Sequence, residues 1–248
     1  MKNVWALVRR EILSYFSSPI AYVVLSAFLW LYGFYFYAYL EAFIDPRTVA
    51  PGAVVNVNQD MLRWVFHTTA FFLLFLLPMV TMRSFSEELR SGTIELLFTS
   101  PLTDTQIVMG KFLGALSLFA VMLATTSFHM AVLFYFGDPE WKPIAVGYLG
   151  LFLLGAGYIA FGLMFSALTK NQIVAGLLSF GAFVLLYLVA LGEDRGWMEL
   201  VTYLSVDQHL EEFAKGVLDT RDVVYFASMT ILGLFLTKQA IESYRWRS

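Results

Sequence analysis

The chain contains no cysteine, which excludes disulfides, thiolate metal sites and cysteine nucleophiles. Charge is scarce as well: 14% of the 248 residues are Asp, Glu, Lys or Arg, where a soluble domain carries about 25%. With a formal net charge of −3 and no dense basic stripe, nucleic acid is not an expected partner. The P-loop is missing too. Gly110-Lys111 is the only Gly-Lys pair; it lacks the upstream glycine and is followed by Phe112, so P-loop hydrolysis of ATP is unavailable to this chain. Neither His-Glu-x-x-His nor Gly-x-Ser-x-Gly occurs, and His67, His129 and His209 lie far apart in sequence. No Asp or Glu falls in the middle of an apolar run, which disfavours an intramembrane hydrolase. No catalytic residue, metal site or cofactor is expected.

What the chain has instead is apolar surface: 59% of its residues are hydrophobic. A hydrocarbon core about 30 Å thick takes roughly 20 such residues per helix. Charge-free intervals place spans at about 20–40, 64–82, 107–136, 144–168, 172–191 and 223–241, the third starting near Ile107 with Lys111 snorkelling outward. The last run is the weakest, so five spans plus an interfacial helix is the fallback to six. Capping-box spacing marks Thr103 with Gln106, Thr169 with Gln172 and Ser84 with Glu87. Asp219 and Thr220 precede the last span, with Asp222 near its positive dipole end. The fold class expected is an all-α membrane protein forming one transmembrane domain over 1–248.

Six spans put Lys2, Arg9, Arg10, Arg83, Arg90, Lys111, Lys170, Lys238, Arg245 and Arg247 on one side. Arg47, Arg63, Lys142, Arg195, Lys215 and Arg221 fall on the other. Ten against six places both termini in the cytoplasm by the positive-inside rule. Residues 1–17 interleave Lys2, Arg9, Arg10 and Glu11 with apolar residues, unlike a cleaved signal, so the N-terminus is expected to be retained. Residues 3–17 read as an amphipathic helix in the membrane interface, with Val4, Trp5, Val8, Ile12, Tyr15 and Phe16 on one face and Leu7 and Leu13 as exceptions. Its partner is membrane lipid or a docked protein.

The loop from Arg83 to Thr105 mixes Glu87, Glu88, Arg90 and Glu95 with Ile94, Leu96, Leu97 and Phe98 around Gly92. A connector needs neither that charge density nor that apolar cluster, and the combination suits docking of a soluble protein. The 192–222 loop carries two further stretches suited to short amphipathic helices, Trp197 to Leu204 and His209 to Gly216. Within the spans, His67, Thr68, Thr69, Thr125, Thr126, Ser127 and His129 have two readings. They line a pathway in which His67 approaches His129, or they are interhelical hydrogen-bonding groups with the histidines near the headgroups; the second is the default. Gly150, Gly155, Gly157 and Gly162 read as close-approach positions for neighbouring helices.

With these residues in view, the chain resembles the permease subunits of type 2 ABC transporters over essentially its whole length. The most specific part is Glu87-Glu88-Leu-Arg90-Ser-Gly92-Thr93-Ile-Glu95-Leu-Leu, then Pro101, then Gly110-Lys111. This looks like the family's coupling-helix region, which implies that Glu87, Glu88, Arg90, Gly92, Thr93 and Glu95 contact an ATPase. Ser14 to Tyr22 and His209 to Gly216 look closest to the gliding-motility-associated branch. The resemblance implies a multi-pass protein of the cell membrane in which two permease chains, most simply a homodimer, pair with two ATPase chains. It also implies export by alternating access, outer half-helices in loop 192–222, and room for an auxiliary periplasmic or membrane subunit. Two rivals stand beside this reading. One is an ATP-independent channel or secondary transporter, for which paired broken helices would be the sign. The other is an ATP-driven mechanical relay that moves no substrate.

Overall fold

Backbone groups in hydrocarbon must find partners within their own segment, and the computed structural model answers with helices. It describes residues 2–45, 60–137, 139–188 and 203–245. Among these, α1 (Lys2–Ser17) lies against α6. The long helices are α2 (Pro19–Ile44), α3 (Leu62–Thr81), α6 (Asp104–Gly137), α7 (Trp141–Leu168) and α10 (Thr220–Arg245). Shorter ones are α4 (Ser86–Ser91), α5 (Ile94–Phe98), α8 (Gln172–Leu188) and α9 (Val206–Ala214).

Among the described residues five helices are long and apolar enough to cross a membrane, and α8 is a shorter apolar one. The order of strength differs from the sequence expectation. The run over 223–241 belongs to a helix of 26 residues, because Thr220 to Asp222 and Lys238 to Arg245 continue it at both ends. The run over 172–191 is described as helix only to Leu188, and 189–191 lie outside the described residues.

The ends show which caps the sequence predicts well. Thr103 and Gln106 exchange backbone-to-side-chain bonds of 3.2 and 3.3 Å, a complete capping box. At α8 the cap is Asn171 rather than Thr169: its Oδ1 accepts from Ile173 N at 2.9 Å, while Thr169 Oγ1 accepts from Asn171 N. Asp219 caps α10 through Arg221 N at 2.9 Å.

Helix α7 is the centre, packed against α3, α6, α8, α9 and α10. Its glycines act as sockets. A Cβ at Gly147 would collide with Phe66 of α3, at Gly150 with Phe213 of α9, at Gly155 with Phe119 of α6 and at Gly162 with Thr81 of α3. At Gly157 it would meet Met229 of α10. Helices in lipid gain little from apolar burial against one another, so close approach through small residues carries the association. Gly233 of α10 meets the Ala160 backbone of α7 in the same way, beside a Thr237 hydroxyl aimed at Ala160 O.

The same device seats α1. A Cβ at Gly110 would collide with Leu7, and one at Gly114 would fall 2.6 Å from Glu11 Cβ. Leu7, Val8 and Glu11 are therefore buried, whereas Trp5 (69% exposed) and Leu13 face outward. This corrects the packed face of α1: Leu7 is at its centre and Trp5 is not, because the face is set by the glycine strip of α6. Replacing Gly110 with Val should lever α1 away, at about 1–3 kcal/mol of overpacking. A cysteine placed at Val8 in this cysteine-free chain should then become reactive to maleimide; continued protection would show that α1 is held elsewhere.

Candidate functional site

Between α3 and α4 the chain turns over residues 82–85, leaving helix-end amides to be satisfied. The expected Ser84 cap does not form. Helix α4 starts at Ser86 with no side-chain cap of its own, and Ser84 bonds Tyr15 instead. The partner comes from α7: Ser166 Oγ accepts from Phe85 N at 3.0 Å and Ser86 N at 3.1 Å, and donates to Met82 O at 3.0 Å. Ser166 is fully buried. Nothing in the sequence marks it, since a serine near the end of an apolar run is common.

Lys111 lies at the middle of this region. It does not snorkel: it is 2% exposed. Its three ammonium protons have three acceptors, Ser84 O at 2.7 Å, Glu88 Oε1 at 2.9 Å and Glu11 Oε1 at 3.4 Å. The Phe85 ring lies 5.0 Å away. Arg10 bridges the same two carboxylates at 3.1 and 3.2 Å. Three acceptors hold the charge inside more cheaply than extension along a crowded helix face would, because Gly110 and Gly114 already bring α1 over it. Tyr15 adds a hydroxyl within 3.2 Å of Ser84 Oγ, and burial pushes its phenol up to about 12, so it stays a neutral donor. Arg83 completes the network, reaching Glu87 at 3.3 Å and Ser18 Oγ at 3.2 Å.

The outward part of the segment is the α4–α5 elbow. Gly92 ends α4 in the left-handed region at φ 76°, which glycine adopts freely. Beyond it, Ile94 and Leu97 are buried while Leu96 is 70% exposed. The expected apolar knob is therefore one residue, Leu96, because a helix turn cannot present 94, 96 and 97 to the same side. Arg90, Gly92, Thr93 and Glu95 are exposed beside it, and Glu87 stands over Arg83. Glu88 belongs to the Lys111 cluster rather than to the rim. Arg245, from the last turn of α10, pairs with Asp104 at 3.2 Å and lies over the Phe98 ring of α5.

At the opposite face His67 bridges two carboxylates of α9, with Nδ1 2.9 Å from Asp207 and Nε2 2.6 Å from Glu211. For Glu211, burial raises the carboxyl, but the bonds from His67, Lys215 and Arg63 outweigh it and hold it below the usual range. His129 instead packs edge-on against Tyr32 and Phe36 of α2, ring centroids 5.1 and 5.4 Å away. The two histidines face different helices and are not brought together. Thr68 meets Tyr39 at 2.6 Å; Thr69 and Thr125 bond carbonyls of their own helices. Thr126 bonds Leu123 O and Tyr148 OH, both at 2.7 Å. His209 is buried on α9 with Asp222 at 2.6 Å and Tyr225 stacked 3.8 Å away. Helix α9 thus stands at Val206–Ala214, near the expected 209–216 stretch, whereas 197–202 of the other expected helix lies outside the described residues.

Residues 5–217 match the family model described as ABC-2 family transporter protein. The chain belongs to that family. Over 143 residues it is 28% identical to the probable multidrug ABC transporter permease YbhR of Escherichia coli K12, and equally to that of strain O157:H7. The alignment covers 56% of this chain and 38% of those relatives, so the chain matches well under half of their length. These residues belong to the membrane-embedded part of such a transporter, and no P-loop lies among them.

The Lys111 cluster yields the sharpest test. Lys111→Met removes the buried cation and leaves Glu11 and Glu88 only the half-exposed Arg10, which should cost about 3–5 kcal/mol in thermal unfolding of the detergent-solubilised chain. Adding Glu11→Gln should recover much of that loss. Equal melting of wild type and Lys111→Met would show the cluster to be energetically idle.

Proposed function

We propose that the chain is the membrane-spanning permease subunit of an ATP-driven exporter of the cell membrane, working as a pair with two separate ATPase chains. The observation that carries this reading is the α4–α5 elbow, which is fastened at three places and bare at its tip. Ser166 fastens it to α7, Lys111 to α6 and α1, and Arg245 ties α5 to α10 and to the start of α6. Movement imposed at Leu96, Arg90 and Glu95 would reach those helices without slack. Glu87, Gly92 and Thr93 complete the coupling surface, while Glu88 acts from behind it.

The excess of Lys and Arg supports placing this face, with both termini, in the cytoplasm. Under that orientation α9, strapped to α3 through His67, is an outer gate element. His67, Thr68 and Thr69 of α3 and Thr125, Thr126 and His129 of α6 would then line separate sides of the route rather than one polar file. The finer likeness to gliding-motility permeases rests on Ser14 to Tyr22 and His209 to Gly216. The multidrug description of the Escherichia coli relatives makes amphiphilic cargo the first class to assay. A mechanical relay would use the same elbow and differ only in moving no substrate.

Leu96→Arg and Glu95→Lys should lower copurification of the ATPase by about tenfold while the chain still inserts and melts normally, since an exposed rim charge acts on docking rather than folding. Gly92→Asn should be tolerated better than Gly92→Val, because nothing lies within 4 Å and only the left-handed backbone resists a side chain. Normal copurification and normal hydrolysis in all four variants would mean that the ATPase docks elsewhere.

The orientation is checked separately. Cysteines at Glu95 and Leu218, both exposed, should label from opposite sides of sealed vesicles; labelling of both by one impermeant reagent would overturn the topology.

A further inference from the structure

A cavity of about 480 Å³ opens between α1, α2, the end of α3 and α6, beneath the network just described. Its size falls in the range of small-ligand sites, but its lining is split in a way that a water-soluble ligand does not need. The floor is apolar and belongs to the spanning helices: Ile20, Ala21 and Val24 of α2, Met79 and Val80 of α3, Leu118 of α6. Leu118 lies seven residues below Lys111, about 10 Å along the helix. Ile20 and Met79 are 39% and 40% exposed on helices long and apolar enough to cross a membrane, so the floor is open sideways. The rim is polar and formed by Arg10, Ser14, Arg83 and Glu87.

The charges lining the cavity balance. Arg10, Arg83 and Lys111 face Glu11, Glu87 and Glu88, three cations to three carboxylates. Lys111 and Glu11 are sealed, with side chains 3% and 10% exposed, whereas Arg10 (55%), Arg83 (32%) and Glu87 (52%) reach solvent at the rim. A polybasic surface would attract anionic lipid; a cavity of zero net charge with both signs at its rim suits a ligand that carries both signs itself. We propose that this cavity binds one zwitterionic glycerophospholipid of the phosphatidylethanolamine type. Its phosphate meets Arg10 and Arg83, its ammonium meets Glu87, and an acyl chain leaves over Ile20 and Met79. The inference does not depend on the exporter reading, since it concerns a resident lipid rather than cargo.

The test uses the full chain in nanodiscs of mixed phosphatidylethanolamine and phosphatidylglycerol, released into detergent, with retained lipid counted by native mass spectrometry. Wild type should keep one phosphatidylethanolamine per chain, preferred over phosphatidylglycerol by about tenfold. Met79→Trp, which fills the floor from its exposed side, and Arg83→Gln, which removes a phosphate contact, should each lower retention about tenfold while the chain still inserts and folds. Equal retention of the two lipids would overturn the zwitterionic assignment. Full retention in both variants would overturn the site. Displacement of the lipid by free phosphoethanolamine at millimolar concentration would show a headgroup-only site and overturn the lipid reading.

Discussion

Close approach of backbones is the constraint on which everything else in this protein depends. In water a helix bundle is driven together by hiding apolar faces; in hydrocarbon that drive is nearly absent and fit decides. Helix α7 is long, apolar all round and held by neighbours on most sides. It presents hollows at Gly147, Gly150, Gly155, Gly157 and Gly162 into which aromatic rings, a methionine and a threonine insert. The sockets address α3, α6, α9 and α10 separately. One helix therefore fixes the relative depth of four others.

Polar groups then do what apolar fit cannot: they fix direction. The Lys111 cluster joins α6 to α1, which meet through Gly110 and Gly114, and to α4; its acceptors come from α1, α4 and the turn before α4. A buried charge is tolerable only when it is surrounded by partners, so this cluster resists any displacement that would strip one of them away. At the other face the His67 strap is more exposed and shares one of its carboxylates, Glu211, with Arg63 and Lys215. It is the looser of the two fastenings, in keeping with the gate role proposed for α9.

Much of this architecture is written locally and was legible. Charge-free runs, the Thr103–Gln106 box, the turn at Gly92 and the close-approach glycines are short-range signals with one physical meaning each. Apart from the cap of α8, the errors share a cause: each concerns a residue whose role depends on what another helix brings to it. Lys111 reads as a snorkelling residue until α1 and α4 surround it. Glu88 reads as a surface charge, and Leu97 as a docking residue, until the fold turns both inward. His67 and His129 occupy similar depths in sequence terms, but helix rotation sends one to α9 and the other to α2. Ser166 carries no signal at all, because its importance lies in three bonds to a segment eighty residues away.

Those three bonds bear on how the chain tolerates change in length. The stretch from Met82 to Phe85 resembles an ordinary connector, the sort of place where an extra residue is usually absorbed. Here Met82 O, Phe85 N and Ser86 N converge on a single hydroxyl, so the number of residues between them is fixed by geometry. One added or deleted residue would slip α4 out of step with α7 and rotate Glu88 away from Lys111. The connector is thus a counted spacer, closer to a gear tooth than to a tether.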